Sequence, residues 1–498
     1  MNPTLASLPM LLEIFALLFS NRWVARWQNQ WAQQPRPREI SSGARASRKP
    51  GQPKPKKKKP KPAPRRFYQR IFSLRVTLWY LIYQRLNFDT TLAAVVRNVR
   101  EGGADRLGAR GRRLSPRVRS TQTSAYNQAR QRMPLELLQA ALAHLRQGLW
   151  KQVGWVAAPR QKPGPAQRVR QLLDGSTLAM LRTPELAAAF PPARNQSGAS
   201  DWCVMRIVVG FCARSGAVLS AIEGAVQRSE QALAWTLIEQ SAAFTLWIGD
   251  RNFGVWSVVA QAVRCRQDVL VRLTRARARK LCAGRPMRSG EERLIEWHPS
   301  RHDQTAPGTK RTAVSGRLIY VRLHKGGKGI DLWLFTTLEA PDYPVELLLR
   351  WYGQRWQAEL HFRSVKTQMK MAELEVGTPE MARKEFYAGL LAYSLVRAVM
   401  WGAGERLEEG IKTLSFSQAR RVLLHRLKDW GRRLDTGAGY AEKWVRELLE
   451  EVAQHPLPKR RKPRPSEVRQ VRHRRQKFPP LKGSRTAART RYMTTKSS

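Results

Sequence analysis

From Val169 to Leu273, short apolar runs alternate with segments of helical periodicity, and two of those runs stop at an aspartate. Strand and helix in alternation pack as an α/β layer, which rules out an all-helical bundle or an all-β sandwich for this stretch. Val169–Leu173 is a short strand ending at Asp174. Cys203–Phe211 and Ala217–Glu223 flank the turn Ala213-Arg214-Ser215-Gly216 and form a hairpin. Glu230–Gln240 is helical, Phe244–Gly249 is a buried strand ending at Asp250, Gly254–Val263 is helical and Val269–Leu273 is a further strand. Ligands bind at strand ends in open α/β sheets, so Asp174 and Asp250 stand where carboxylates can act. Each alone is weak evidence, because an aspartate there is also a common turn former or helix cap.

The flanking segments differ in texture. Residues 67–155 read as helical, with helix-spaced Phe72, Val76, Trp79 and Tyr83, and again Leu92, Val95 and Val99. Asp89-Thr90 is a candidate cap for the second of these helices and Ser124 for a third, and Pro134 suits the first turn of Leu135–Leu149. Residues 275–343 break the alternation with strands Arg293–Trp297, Arg317–Leu323 and Asp331–Thr337 and a turn at Gly326-Gly327-Lys328-Gly329, a β-rich insertion. Residues 344–454 return to helix. The core is thus expected in two parts, 156–274 and 344–454, on either side of the insertion.

The chain carries 90 Lys and Arg against 37 Asp and Glu, a net charge of +53 over 498 residues. Such a field holds polyanions, of which nucleic acid is the usual one. Gln34–Arg66, with 13 basic residues and one acid, and His455–Ser498, with 15 and one, are Pro-rich and too polar to fold, so both are expected to be disordered. Without them the chain still carries +27, so the folded part is basic itself. Arg117, Arg119, Arg130 and Arg132 among the short helices suit DNA contact, with a plain bundle and a solvated basic face as the alternative. The apolar run Leu5–Phe19 contains Glu13 and falls short of the ~20 residues of a membrane span. It reads as an amphipathic helix or extension (residues 1–66 with the linker), and no membrane partner is expected. Cys203, Cys212, Cys265 and Cys282 lack zinc-site spacing and read as reduced core residues of a cytoplasmic protein.

Tyr352, Arg355, Glu359 and Lys366 are spaced 3, 4 and 7 apart. At ~100° per residue they share a ~60° stripe of one helix. A mixed-charge face is ordinarily just solvated, but an aromatic on the stripe and two preceding strand-end aspartates weigh against that reading.

Those four residues resemble the YREK pattern of bacterial DDE transposases of the insertion-sequence-four type, to which the transposon-five transposase belongs. Asp174-Gly175-Ser176-Thr177 and Gly249-Asp250-Arg251-x-Phe253 resemble that family's two aspartate motifs. Val271-Arg272 resembles the strand whose arginine lies near DNA, and Leu332–Thr337 resembles the strand that carries a base-flipping tryptophan, here Trp333, with Trp297 the runner-up. The resemblance covers about Phe67 to Pro480. It implies an RNase H-like catalytic core interrupted by the insertion, a helical N-terminal domain that binds terminal inverted repeats, and catalytic, metal-binding Asp174, Asp250 and Glu359. It also implies two Mg²⁺ or Mn²⁺ ions and DNA contacts from Thr177, Arg251, Arg272, Trp333, Tyr352, Arg355 and Lys366. The implied activity is cut-and-paste transposition by a homodimer on the bacterial nucleoid, joining 3′ ends to target DNA. The alternatives are a silent DNA-binding inhibitor of transposition and a structure-selective nuclease on the same fold. His361, two residues past Glu359, points off the stripe and reads as a packing or solvated side chain.

Removing residues 34–66 or 455–498 should weaken binding to all DNA sequences and make its salt dependence shallower, by ~0.9 in slope for each phosphate no longer neutralised. Preference for the terminal repeat should survive. Titrations of full-length and truncated protein between 50 and 200 mM salt check this, and loss of that preference at unchanged slope would contradict it.

Overall fold

The structure, a computed structural model, describes residues 11–12, 21–33, 71–108, 111–152, 163–195, 198–325, 328–407, 410–433, 439–457 and 483–496. The linker 34–66, most of the apolar run 5–19 and the turn glycines Gly326 and Gly327 lie outside the described residues. Two units are distinguished, Met1–Pro456 and Leu457–Ser498.

In the first unit, Leu11 and Leu12 are helical and Leu11 is buried. Helices α1 (Asn21–Gln33), α2 (Leu74–Leu86), α3 (Leu92–Arg100), α4 (Ser124–Arg132) and α5 (Leu135–Gln152) follow. Thr91 caps α3 by accepting from the Ala94 amide at 3.2 Å, and Asp89 in turn accepts from the Thr91 amide at 3.0 Å. The cap is therefore one residue later than the sequence suggested. Ser124 is likewise the first residue of α4, not its cap.

The α/β region runs β1 (Arg170–Met180), α6 (Pro184–Ala189), β2 (Pro192–Asn195), β3 (Gly198–Cys212), β4 (Val218–Ala225), α7 (Glu230–Glu239), β5 (Leu246–Gly249), α8 (Trp256–Arg264) and β6 (Asp268–Arg272). Next come α9 (Arg275–Leu281), β7 (Glu292–Trp297), β8 (Val314–Lys325) and β9 (Lys328–Thr336), then α10 (Val345–Gly353), α11 (Gln357–Arg363), β10 (Glu373–Leu374), α12 (Pro379–Gly404), α13 (Phe416–Arg432) and α14 (Tyr440–Ala453).

All ten strands described form one mixed sheet, in the order β2-β3-β1-β5-β6-β9-β8-β7, with β4 beside β3 and β10 beside β1. β1, β5 and β6 are parallel; the hairpin strands pair antiparallel. The central strands are apolar on both faces, as buried parallel strands must be. Alternation along each strand divides them between two cores. Leu172, Ile248, Leu270 and Leu334 pack with α12, whereas Leu173, Trp247, Val269, Val271 and Phe335 pack with α7 and α8.

One expectation changes here. β1 does not stop at Asp174 but continues to Met180, because Gln171–Met180 pairs along its whole length with β3. The strands of residues 275–343 join the same sheet. β9 pairs antiparallel with β6 through Leu270↔Thr336 and Arg272↔Leu334, so they extend the central sheet. Pairing with β9 covers what would otherwise be an open strand edge.

The helical N-terminal region docks on α12, a 26-residue helix capped by Thr378 and buried along most of its length. By length and composition α12 could cross a membrane, but 89% of its apolar window lies inside the fold. Its Glu385 accepts from Arg85 Nε at 2.6 Å and also pairs with Arg130, both from the N-terminal helices. Lys384 donates to the Gln131 carbonyl at 2.7 Å. Burial alone would raise the Glu385 carboxyl; Arg85 and Arg130 outweigh it and hold it below its usual range.

In the second unit, α15 (Arg485–Lys496) is helical, with Ser484 accepting from the Ala487 amide at 3.2 Å. The tail was expected to lack regular structure. This stretch lies beyond the last proline of the chain and has a capping serine, which allows a helix there.

Glu385→Ala leaves two buried guanidiniums without their acid and should cost about 3–5 kcal/mol. Because the native carboxyl is depressed, the wild-type contribution should be present near neutrality and fade as pH falls through its native pKa. Urea unfolding of both proteins checks this; a loss under about 1 kcal/mol would contradict the account.

Candidate active site

Parallel pairing of β1 with β5 ends at Leu173↔Gly249. The next residue after each is an aspartate, so backbone register sets Asp174 beside Asp250. Beyond that point β5 turns away while β1 runs on against β3, and β10 joins β1 only at Ala179. The flank of β1 at Asp174 is thus open between two paired stretches. Asp174 Oδ1 accepts from the Gly175 amide at 2.8 Å. Burial pushes the Asp174 carboxyl up to about 6, and Asp250 and Glu230 add to the rise against the pull of the Gly175 amide and Arg355. Asp250 begins a tight turn in which its Oδ1 accepts from the Asn252 amide at 2.9 Å and its carbonyl from Gly254 at 3.2 Å. Phe253 is buried beneath the turn. A Cβ at Gly254 would lie 2.1 Å from the Arg272 carbonyl, so only glycine lets the turn close onto β6.

The segment carrying Tyr352, Arg355, Glu359 and Lys366 is not the continuous helix that the spacing predicted. α10 ends at Gly353, a 3₁₀ turn spans Gln354–Trp356, α11 carries Glu359, and a π turn spans Ser364–Gln368. Such single π turns recur at functional sites. Arg355 donates to Glu359 Oε1 at 2.9 Å and feels the charge of Asp174. Tyr352 lies within electrostatic reach of Arg355, Arg272 and Asp250. Lys366, on the π turn, donates to Ser176 Oγ at 3.3 Å, two residues beyond Asp174 on the same strand. The interrupted helix therefore still brings Tyr352 and Arg355 within electrostatic reach of the aspartates and Lys366 to Ser176 on the strand of Asp174, while Glu359 is linked to them through Arg355.

The other candidates lie at varying depth. Thr177 is half-buried on β1, Arg251 is exposed in the Asp250 turn and Arg272 ends β6 half-buried. Trp333 is only 8% exposed and stacks on Tyr320, with ring centroids 4.2 Å apart. A base could stack on its covered face only after one ring turns aside. Trp297 is buried edge-on against Phe335. His361 is buried against Phe211 and Tyr393 on the reverse side of α11, the packing role that its offset suggested, and burial holds it well below its usual pKa.

Among the described residues, no three His, Cys, Asp or Glu side chains converge closely enough to hold a metal ion. Glu359 is turned to Arg355 instead, the favoured choice for a carboxylate offered a guanidinium in place of two like charges. The acid that the sequence reading missed is Glu230, whose charge acts on Asp174. The signal available was Ser229-Glu230 opening a helix, which reads as ordinary capping. With Asp174 raised from 3.8 to about 6, the folded state binds the extra proton, so wild-type stability falls as pH rises from about 4 through about 6. Asp174→Asn keeps the acceptor for Gly175 and removes the charge. In chelator-treated protein it should therefore gain stability over wild type, up to about 3 kcal/mol at pH 7.5, with the gain vanishing toward pH 4. Thermal melting across that range tests it; a pH-independent difference would contradict the origin given for the shift.

Residues 165–395 match the family described as Transposase DDE domain. The chain is 27% identical over 313 residues to Transposase InsG for insertion sequence element IS4 of Escherichia coli (strain K12), a match spanning 61% of this chain and 67% of that protein. A cryo-EM structure of the piggyBac transposase synaptic complex with hairpin DNA aligns over 90% of this chain and 85% of that one, at 10% identity and a TM-score of 0.36, too weak a likeness to carry an argument. Asp174, Asp250, Arg355, Glu359 and Lys366 all fall inside the matched span. The chain thus carries a transposase DDE domain and is related to the transposases of the insertion-sequence-four type.

Proposed function

We propose that this chain is a cut-and-paste DNA transposase with an RNase H-like core. It binds the terminal inverted repeats of its element, cuts at the element ends and joins the freed 3′ ends to target DNA as a paired homodimer. The observation that carries this reading is the enforced adjacency of Asp174 and Asp250 beside the Arg355–Glu359 pair.

The donor set suits a hard divalent cation, being carboxylate oxygens alone, with two of the acids set side by side and one held at about 6. Asp174, Asp250 and Glu359 would hold Mg²⁺ or Mn²⁺, and two such ions would stabilise the attacking and leaving oxygens of phosphoryl transfer. Around them the chain's own side chains bind and orient DNA. Arg355 presents a planar fork that takes two phosphate oxygens, where Lys366 supplies a point charge. A phosphate that engages Arg355 competes with Glu359 for the same fork and frees that carboxylate to turn toward the aspartates. Tyr352 offers its hydroxyl to the same phosphate or its ring to the sugar. Lys366 also lines a cleft with Gln84, Asn127, Gln131 and Lys370, so DNA leaving the aspartates meets the N-terminal helices. In the first step water attacks the phosphodiester at the element boundary and a 3′ hydroxyl leaves. In the second that hydroxyl attacks a target phosphodiester, forming one P–O bond and breaking another.

Purified protein with Mg²⁺ and DNA bearing the flanking inverted repeats should give strand-transfer products. Cut DNA without joining would point instead to a nuclease, and shifted but uncut DNA to a binding protein. Arg355→Ala should slow single-turnover nicking ~10–100-fold, the value of a charged hydrogen bond at ~1.5–3 kcal/mol. Arg355→Lys should recover only part. An exposed ion pair of purely structural role would cost well under ~1 kcal/mol and leave nicking untouched, so unchanged kinetics in well-folded Arg355→Ala would remove Arg355 from the site.

A further inference from the structure

Glu230 is the first residue of α7, behind the capping Ser229, whose hydroxyl accepts from the Ala232 amide at 3.1 Å. Its carboxylate reaches well beyond its own helix. Oε2 accepts from Asn252 Nδ2 at 2.7 Å. The neighbouring Gln231 donates to the Asn252 carbonyl at 2.9 Å and to its Oδ1 at 3.3 Å. Asn252 in turn donates its backbone amide to Asp250 Oδ1 at 2.9 Å. Both ends of the Asn252 side chain are therefore held by the start of α7, and its amide holds the Asp250 carboxylate. On the other side Glu230 lies against β1. A Cβ at Gly175 would fall 2.3–2.6 Å from the Glu230 carboxylate atoms, so the side chain occupies the space that glycine leaves beside Asp174. Successive residues of a strand face opposite ways, so Glu230 approaches β1 on the face away from the Asp174 side chain.

We propose that Glu230, acting through Asn252, is the positioning residue for Asp250, clamping the turn after β5 so that its carboxylate stays level with Asp174. The proposal rests on the reading of Asp250 as a catalytic carboxylate. The turn needs such a clamp. β5 is only four residues long, and its exit is otherwise closed by backbone bonds of 3.2 Å from Phe253 and Gly254 to the Asp250 carbonyl. A displacement of about 1 Å at a reacting group costs on the order of 100-fold in rate.

The test compares Glu230→Ala, Glu230→Gln, Asn252→Ala and the double variant Glu230→Ala/Asn252→Ala in full-length protein. Single-turnover nicking with Mg²⁺, repeat-DNA affinity and hydrogen exchange of the Asn252 and Gly254 amides are measured on each. Glu230→Ala and Asn252→Ala should each nick ~10–100-fold more slowly at DNA affinity within ~2-fold of wild type. The double variant should be no slower than the slower single one, because the two act in series. Glu230→Gln keeps an acceptor oxygen and should restore most of the rate and the amide protection. Wild-type nicking and protection in Glu230→Ala would overturn the clamp. So would a Glu230→Gln variant as slow as Glu230→Ala, which would assign the effect to the charge, or additive losses in the double variant. If the wild-type protein bound repeat DNA but did not nick it, the catalytic reading would fail separately. Amide exchange would then decide the clamp alone: faster exchange in Glu230→Ala and Asn252→Ala supports it, and unchanged exchange overturns it.

Discussion

The site depends on one backbone register, the parallel pairing that ends at Leu173↔Gly249. It brings the two aspartates together at the point where the strands part, and the Asn252 amide holds the Asp250 carboxylate in place. Burial first, and the neighbouring like charge second, lift the Asp174 carboxyl to about 6, a cost that the fold bears. The surroundings keep the register from relaxing. β3 pairs with β1 for ten residues on the far side, α7 and α8 cover one face, and α12 covers the other. A rigid sheet that holds two acids in place before substrate arrives is what the proposed chemistry would require.

The positive charge is arranged around this pair at two ranges. Over the whole chain, +53 attracts a polyanion without regard to its sequence. At close range, Arg355 and Lys366 are each engaged within the protein, with Glu359 and Ser176. In the N-terminal region the basic side chains serve the fold instead. Of Arg117, Arg119, Arg130 and Arg132, which looked suited to DNA, Arg130 joins Arg85 on Glu385, while the other three are exposed.

Much of this was legible from the sequence because apolar periodicity reports burial directly. The strands β4 to β6, the helices between them and the place of Asp250 at a strand end follow from runs such as Leu246–Gly249, whose four residues are all buried, whereas the adjacency of Asp174 needed the pairing of β1 with β5. What was not legible depends on partners distant in the chain. β1 outruns its apolar run because β3 supplies hydrogen bonds to Gly175–Met180, and hydrogen bonding leaves no hydrophobic trace. Of the three strands after Arg275, β9 joins β6 and the other two follow in turn, a pairing set by tertiary structure. Tyr352, Arg355 and Glu359 do lie in mutual reach, as their spacing suggested, although on a segment broken by 3₁₀ and π turns that ideal geometry does not foresee. Glu230 was invisible for a different reason: as the first residue of a capped helix it already had a sufficient local explanation.

The most direct test locates a divalent cation on the folded chain. Fe²⁺ with ascorbate and peroxide cuts the polypeptide next to the ion it replaces. The account predicts Mg²⁺-suppressible cuts close to Asp174 and Asp250, absent in Asp174→Asn, and a further cut near Glu359 that strengthens when DNA bearing the terminal repeat is added. Cleavage elsewhere, or none at the two aspartates in protein that still binds DNA, would contradict the claim that their enforced adjacency is the catalytic centre.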